Sequence, residues 1–357
     1  MVEHGGDVYA AARELVMPAD SIIDFSASIN PLGTPASVMS ELRRHLKGLR
    51  HYPDPSAAEL VDEIARSTGL DPKMILCGNG STELIYLVAR ALQPERVLIP
   101  APAFAEYERA CISASHFNGN HSNTEGIKYY HIEAKDKFRL NVDAFIDAIK
   151  DRDMAFICNP NNPTGQLIRK SDIVLIADAA WKSGCCLVVD EAFIDFIPGE
   201  SIIKKVAENP SLIVIRSLTK FFALSGLRIG YAVINPDLLG AITRLKEPWT
   251  VNSLAQVAGI TALKDTAYQS RTFNVLRREK AYLEKGLKRL GLDYYQSRVN
   301  FYLIRHDNAY NIVLQLREQG ILVRDCSNFN GLDRSYIRIA VRTRRENMRL
   351  LAALAKL

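Results

Sequence analysis

Short, almost wholly apolar runs alternate with longer amphipathic stretches through the first two thirds of the chain. No other feature limits the fold so sharply. Residues 74–77, 96–99, 155–158, 187–190, 212–215 and 229–233 are apolar at nearly every position. A strand with one wet face alternates apolar and polar residues. These runs have no polar face, so they read as strands covered on both sides. Between them, residues 82–92, 142–150 and 172–183 read as helices that cover those faces. Strand–helix alternation predicts an α/β fold: a mostly parallel central sheet with helices on both faces.

The texture changes after about residue 262. A charged helical stretch at 271–290 leads into strand-like runs at 301–304, 321–323 and 337–341 and a final helix ending at Leu357. This predicts a smaller α+β domain. The expected division is an N-terminal segment 1–35, a large α/β domain 36–261 and a small C-terminal domain 262–357. The length of 357 residues fits two domains. A hydrophobic content of 48% with 24% charged residues excludes global disorder. No apolar run reaches the roughly 20 residues of a membrane-spanning helix.

The net charge of +5, from 45 basic and 40 acidic residues, is too mild and too dispersed to suggest nucleic acid as a partner. The densest basic run, residues 43–50, reads as a solvated helix face. Six cysteines form no C-x-x-C pair and have no histidine at ligand spacing, so neither a metal site nor a disulfide framework is expected. The stretch 1–6 has no basic segment followed by an apolar one, so a cytoplasmic location is the expectation.

Several loops that follow the apolar runs carry chemistry. Gly78-Asn79-Gly80-Ser81-Thr82-Glu83 opens a helix after a strand. It has Glu83 where a dinucleotide fingerprint needs its third glycine. What remains is free backbone N–H at a helix start, suited to one phosphate, or a plain helix start with Ser81 as the cap. Asn159-Pro160-Asn161-Asn162-Pro163-Thr164-Gly165 turns at the C-terminal edge of the sheet, where α/β sites are built. Asp190 closes a buried run, Ser217-Leu218-Thr219-Lys220 follows the next, and Arg228 lies eight residues beyond Lys220. Taken singly, Lys220 could be surface charge, Asp190 a strand-end cap and Arg228 an ion-pair partner. Together an amine, a carboxylate, a phosphate cradle and a guanidinium at one sheet edge suit pyridoxal 5'-phosphate.

These segments resemble the fold-type I pyridoxal-phosphate enzymes of the aspartate-aminotransferase superfamily, over nearly the whole length. The resemblance implies that Lys220 bonds the cofactor aldehyde and that Asp190 pairs with the ring nitrogen. It implies that Asn162 bonds the ring's 3'-oxygen and that Phe104, in Pro102-Ala103-Phe104, stacks on the ring. Gly80, Ser81, Thr82, Ser217 and Arg228 are implied to hold the phosphate. Phe193 stands where many aminotransferases have a tyrosine, so one hydrogen bond to the 3'-oxygen is lost.

Further positions concern the substrate. Arg338 matches the position that binds the substrate carboxylate, and Arg324 one used for substrate phosphate in the histidinol-phosphate branch. Tyr52 matches a tyrosine that crosses a homodimer interface into the partner's site. His4-Gly5-Gly6-Asp7, residues 24–33, Phe104-Ala105-Glu106-Tyr107 and residues 190–196 resemble the threonine-phosphate decarboxylases of cobalamin biosynthesis. His4 and Asn30 become candidate substrate contacts, with His4 equally a cap on a frayed terminus. Ser28 departs from the asparagine expected there.

The implied reaction is decarboxylation of L-threonine O-3-phosphate to (R)-1-amino-2-propanol O-2-phosphate. The alternatives are a histidinol-phosphate-type aminotransferase and a decarboxylase preferring L-serine O-phosphate. One methyl group separates the last, a difference of about 1–3 kcal/mol in a pocket.

Overall fold

A computed structural model describes residues 4–116 and 125–357. Residues 1–3, part of the stretch read for a secretory signal, lie outside the described residues. Seven strands form the central sheet: β1 (Ile75–Gly78), β2 (Val97–Ala101), β3 (Ile127–His131), β4 (Met154–Cys158), β5 (Cys186–Asp190), β6 (Leu212–Ser217) and β7 (Gly230–Ile234). Their order across the sheet is β1-β7-β6-β5-β4-β2-β3. All run parallel except β7, which is antiparallel to both its neighbours.

Apolar residues at every strand position are explained by two helical layers. Along β4, Met154, Phe156 and Cys158 pack with Leu84, Ile85 and Val88 of the helix Gly80–Leu92. The intervening Ala155 and Ile157 pack on the other face with Ile173, Ile176 and Ala177 of the helix Lys170–Lys182. Side chains of a strand alternate between faces, so a sheet roofed on both sides needs apolar residues throughout.

Strand β3 was not foreseen from the sequence. Its Ile-Lys-Tyr-Tyr-His is only half-buried, because β3 pairs with β2 alone at the sheet edge. A polar edge strand lacks the pattern that marks a buried one.

Beyond residue 262 the helix Thr266–Arg289 leads into a second, antiparallel sheet. It comprises β8 (Asp293–Tyr294), β9 (Phe301–Arg305), β10 (Arg324–Asp325) and β11 (Tyr336–Ala340), in the order β10-β11-β9-β8. The run at 321–323, read as one strand, divides its pairing. Ile321–Leu322 pairs in parallel with Ile23–Asp24, while Arg324–Asp325 pairs with β11. The N-terminal segment is thereby tied to the C-terminal part of the chain, and the Ala340 N–H also donates to the Phe25 carbonyl at 2.9 Å. Among the described residues no helix is long and apolar enough to cross a membrane.

Two glycines let β7 approach the start of the helix Gly80–Leu92. A Cβ at Gly230 would lie 2.7 Å from the Arg216 carbonyl oxygen and 2.8 Å from the Ser81 nitrogen. Both are backbone atoms that cannot swing aside. Gly80 adopts φ +80°, and a Cβ there would lie 2.5 Å from Nη2 of Arg228. Gly230→Ala is therefore expected to destabilise the protein by about 1–3 kcal/mol. Gly48→Ala, where a Cβ meets open space, is expected to stay within about 0.5 kcal/mol of the parent. Urea midpoints of the two variants and the parent check this, and equal midpoints would contradict it.

Candidate active site

Four parallel strands and β1 end at one edge, and the loops that leave them converge. Asp190 is the last residue of β5, Ser217 the last of β6, and the Asn159–Gly165 turn follows β4. Pro102–Phe104 follows β2, and the helix Gly80–Leu92 starts after β1. Together with the N-terminal segment and the small sheet they enclose a cavity of about 220 Å³. Its lining includes Lys220, Asp190, Asn162, Phe104, Ser81, Thr82, Ser217, Arg228, Arg324, Arg338 and His4. Gly80 lies just behind, under the guanidinium of Arg228.

Asp190 is buried. Its Oδ2 accepts from the Tyr107 hydroxyl at 2.7 Å and its Oδ1 from the Ala192 N–H at 2.9 Å. Burial pushes its carboxyl above the ordinary range, against the pull of those two donors and of Lys220. Lys220 is half-buried and faces the cavity. Desolvation, then the charges of Arg338 and Arg228, bring its ammonium down to about 8. A cavity-facing amine close to neutral is poised to act as a nucleophile or a base.

Arg338 and Arg324 sit opposite each other on neighbouring strands of the small sheet. Arg338 donates to the Ser26 carbonyl at 2.7 Å and to Oδ1 of Asn162, and its guanidinium lies 5.0 Å over the Phe301 ring. Its Nε is buried without a partner among the described residues. Burial lowers its titration to about 10. Arg324 donates to Oδ1 of Asn328 at 2.7 Å and lies 5.2 Å over the ring of Phe329. Among the described residues the lining thus carries four cationic side chains, Lys220, Arg228, Arg324 and Arg338, against the single carboxylate of Asp190. Like charges confined this way repel, so the cavity favours a ligand bearing several negative charges.

The residues fit pyridoxal phosphate. The start of the helix Gly80–Leu92 presents Ser81 and Thr82 to the cavity. Glycine at position 80 is what lets Arg228 close over that helix start, where a Cβ would collide with it. This is a phosphate cradle of backbone N–H, hydroxyls and guanidinium. The Ser217 and Thr219 hydroxyls lie 2.7 Å apart at its side. Phe193 also lines the cavity and packs edge-to-face on Phe301 at 5.1 Å, an apolar contact where a tyrosine would bring a hydroxyl.

Two sequence-based expectations look different in the structure. His4 does not fray: its Nε2 lies 2.9 Å from Oε1 of Glu106 and its ring 5.7 Å from that of Phe104. Glu106 also accepts from Tyr86 and Arg109, at 2.7 and 2.8 Å. Burial raises its carboxyl, but these donors outweigh burial and hold it below the ordinary range. Asn30 is not on the cavity wall, which corrects its reading as a substrate contact. Its amide donates to the Phe221 carbonyl at 2.7 Å and to the Thr272 hydroxyl at 2.8 Å, and its N–H donates to the Lys220 carbonyl at 3.0 Å. It braces the lysine loop from behind. Tyr52 lies outside the cavity of its own chain, 82% exposed, with its ring 5.0 Å from Trp249.

The sequence reading passed over Thr219, Ser26, Cys158 and Phe329, all on the cavity wall. Thr219 sat in plain view between the serine and the lysine of the quoted motif. Phe329 had no such signal, because the loop that carries it comes from the small sheet.

Comparison with known proteins agrees with this geometry. The chain is 42% identical to the threonine-phosphate decarboxylase of Salmonella typhimurium strain LT2, across 98% of this chain and 95% of that protein. The crystal structure of L-threonine-O-3-phosphate decarboxylase from Porphyromonas gingivalis superposes with a TM-score of 0.81 at 29% identity, covering 94% of this chain and 99% of that one. That of the histidinol-phosphate aminotransferase from Clostridium acetobutylicum gives 0.85 at 31% identity, covering 94% and 98%. The profile of aminotransferase class I and II matches residues 20–354. With that match spanning nearly its whole length, the chain belongs to the aminotransferase class I and II family.

Proposed function

We propose that this protein is a pyridoxal-phosphate-dependent decarboxylase that converts L-threonine O-3-phosphate to (R)-1-amino-2-propanol O-2-phosphate. The observation that carries this reading is the excess of positive charge lining the cavity around Lys220 and Asp190. A phosphorylated cofactor and a substrate bearing both a phosphate and a carboxylate would neutralise it. The 42% identity to a threonine-phosphate decarboxylase supports the same choice of substrate.

Bound in this cavity, pyridoxal phosphate supplies an electrophilic aldehyde and a ring that accepts electrons. Ser81, Thr82, Ser217 and Arg228 would hold its phosphate, Phe104 one face of its ring and Asn162 its 3'-oxygen. Asp190 would keep a proton on the ring nitrogen, which requires the carboxylate to stay anionic. Arg338 and Arg324 would grip the substrate's carboxylate and phosphate. A grip on the carboxylate accelerates its departure only where it also fixes the orientation of the breaking bond. Freed Lys220, whose ammonium titrates at about 8 and so carries a proton at neutral pH, would return that proton to Cα. The exposed Tyr52 beside Trp249 suits a homodimer in which Tyr52 reaches the partner's cavity.

Supplied with threonine phosphate, the protein is expected to release carbon dioxide and form the aminopropanol phosphate. Serine phosphate and histidinol phosphate, assayed in parallel, are expected to react more slowly. Amino transfer to 2-oxoglutarate without gas release would instead favour the histidinol-phosphate-type aminotransferase.

The depressed titration of Lys220 gives a second expectation. In protein freed of cofactor, acylation of Lys220 requires the neutral amine. Its rate, followed by peptide mass spectrometry, is expected to rise with pH through about 8 and level off above. Arg338→Met removes a neighbouring positive charge that favours the neutral amine, so the midpoint is expected to move upward. A parent midpoint at the ordinary lysine value would contradict the desolvated site.

A further inference from the structure

Tyr107 has no part in the chemistry above, yet it is completely buried beside the site. Its ring stacks on Phe156 with centroids 4.9 Å apart and planes 11° from parallel. Its hydroxyl donates to Oδ2 of Asp190 at 2.7 Å. The other carboxylate oxygen takes the Ala192 N–H. A carboxylate deprived of water keeps its charge only where donors replace the lost hydration. The backbone donor survives any side-chain replacement, so Tyr107 is the adjustable one. Desolvation and the neighbouring charge of Asp190 push the Tyr107 hydroxyl well above its ordinary titration, so it remains a donor throughout the working range.

We infer that Tyr107 is a positioning residue that holds Asp190 ionised and oriented toward the cofactor's ring nitrogen. The inference rests on the pyridoxal-phosphate reading. Without the hydroxyl, buried Asp190 keeps one hydrogen-bond donor, the Ala192 N–H. Its proton affinity then rises, and its grip on a protonated ring nitrogen weakens. Tyr107 acts through Asp190 and never touches the cofactor, so its effect must vanish when the ring nitrogen is absent.

That consequence supplies the test. Parent and Tyr107→Phe proteins are stripped of cofactor, and their folding is compared by circular dichroism and thermal unfolding. Each is then titrated with pyridoxal phosphate and with the 1-deaza analogue, which has carbon in place of the ring nitrogen. For Tyr107→Phe, the affinity for pyridoxal phosphate is expected to fall about ten-fold, the scale of one hydrogen bond to a charged group. Affinity for the analogue is expected to change by less than about two-fold. Equal losses with both cofactors would show a merely structural role and overturn the inference, as would no loss with either. Parent protein that binds no pyridoxal phosphate would overturn the cofactor reading itself, a distinguishable result. Should Tyr107→Phe not accumulate in folded form, Phe156→Leu carries the same comparison. It removes the ring that holds Tyr107 and keeps the hydroxyl. Loss confined to the nitrogen-bearing cofactor supports the inference, and equal loss overturns it.

Discussion

Confinement of like charge at the C-terminal edge of the sheet is the constraint on which the rest of this structure depends. Lys220, Arg228, Arg324 and Arg338 share a cavity with the single carboxylate of Asp190. Water could screen such charges, but the cavity walls displace much of it. Burial first, and then the neighbouring positive charges, lower the titrations of Lys220 to about 8 and of Arg338 to about 10. A polyanionic ligand relieves the repulsion that remains. The chain therefore folds around a site whose electrostatics are completed by what it binds.

Structural devices that look unrelated all serve that confinement. Roofing β4, β5 and β6 on both faces removes the sheet interior from water, so the polar groups at the strand ends must find partners at the edge. Asp190 finds Tyr107 and Ala192. Gly80 and Gly230 let a strand, a helix start and Arg228 crowd together around one phosphate-sized space. The small sheet contributes Arg324 and Arg338 from adjacent strands. The N-terminal segment pairs with Ile321–Leu322, just ahead of that sheet's Arg324–Asp325 strand in the chain, and lends the Ser26 carbonyl to Arg338. Three stretches far apart in sequence thus meet in one cavity, which makes it sensitive to how the sheets are held.

Legibility in the sequence followed the length scale of the signal. The buried strands were visible because two apolar faces leave an unmistakable run of residues, whereas β3, with one neighbour and a half-wet surface, left none. Lys220, Asp190 and Asn162 were visible because each closes or follows such a run. Asn30 was misread because Ser26, Ser28 and Asn30 form one polar cluster in sequence, and only long-range packing decides which side chain turns inward. Ser26 and Ser28 line the cavity, while Asn30 turns to Phe221 and to Thr272, 242 residues away. The Tyr107 partnership with Asp190 spans 83 residues, from the helix Glu106–His116 to the end of β5. It is equally hidden, although Phe104-Ala105-Glu106-Tyr107 is itself a visible motif.

On this reading the Nζ of Lys220 and the carboxylate of Asp190 would face one cofactor between them. Borohydride reduction of the purified holoprotein, followed by peptide mapping, tests it most directly. The expected result is loss of the visible absorbance band and a pyridoxyl group fixed on the peptide that carries Lys220. A label on another lysine, or no label with the band unchanged, would contradict the account.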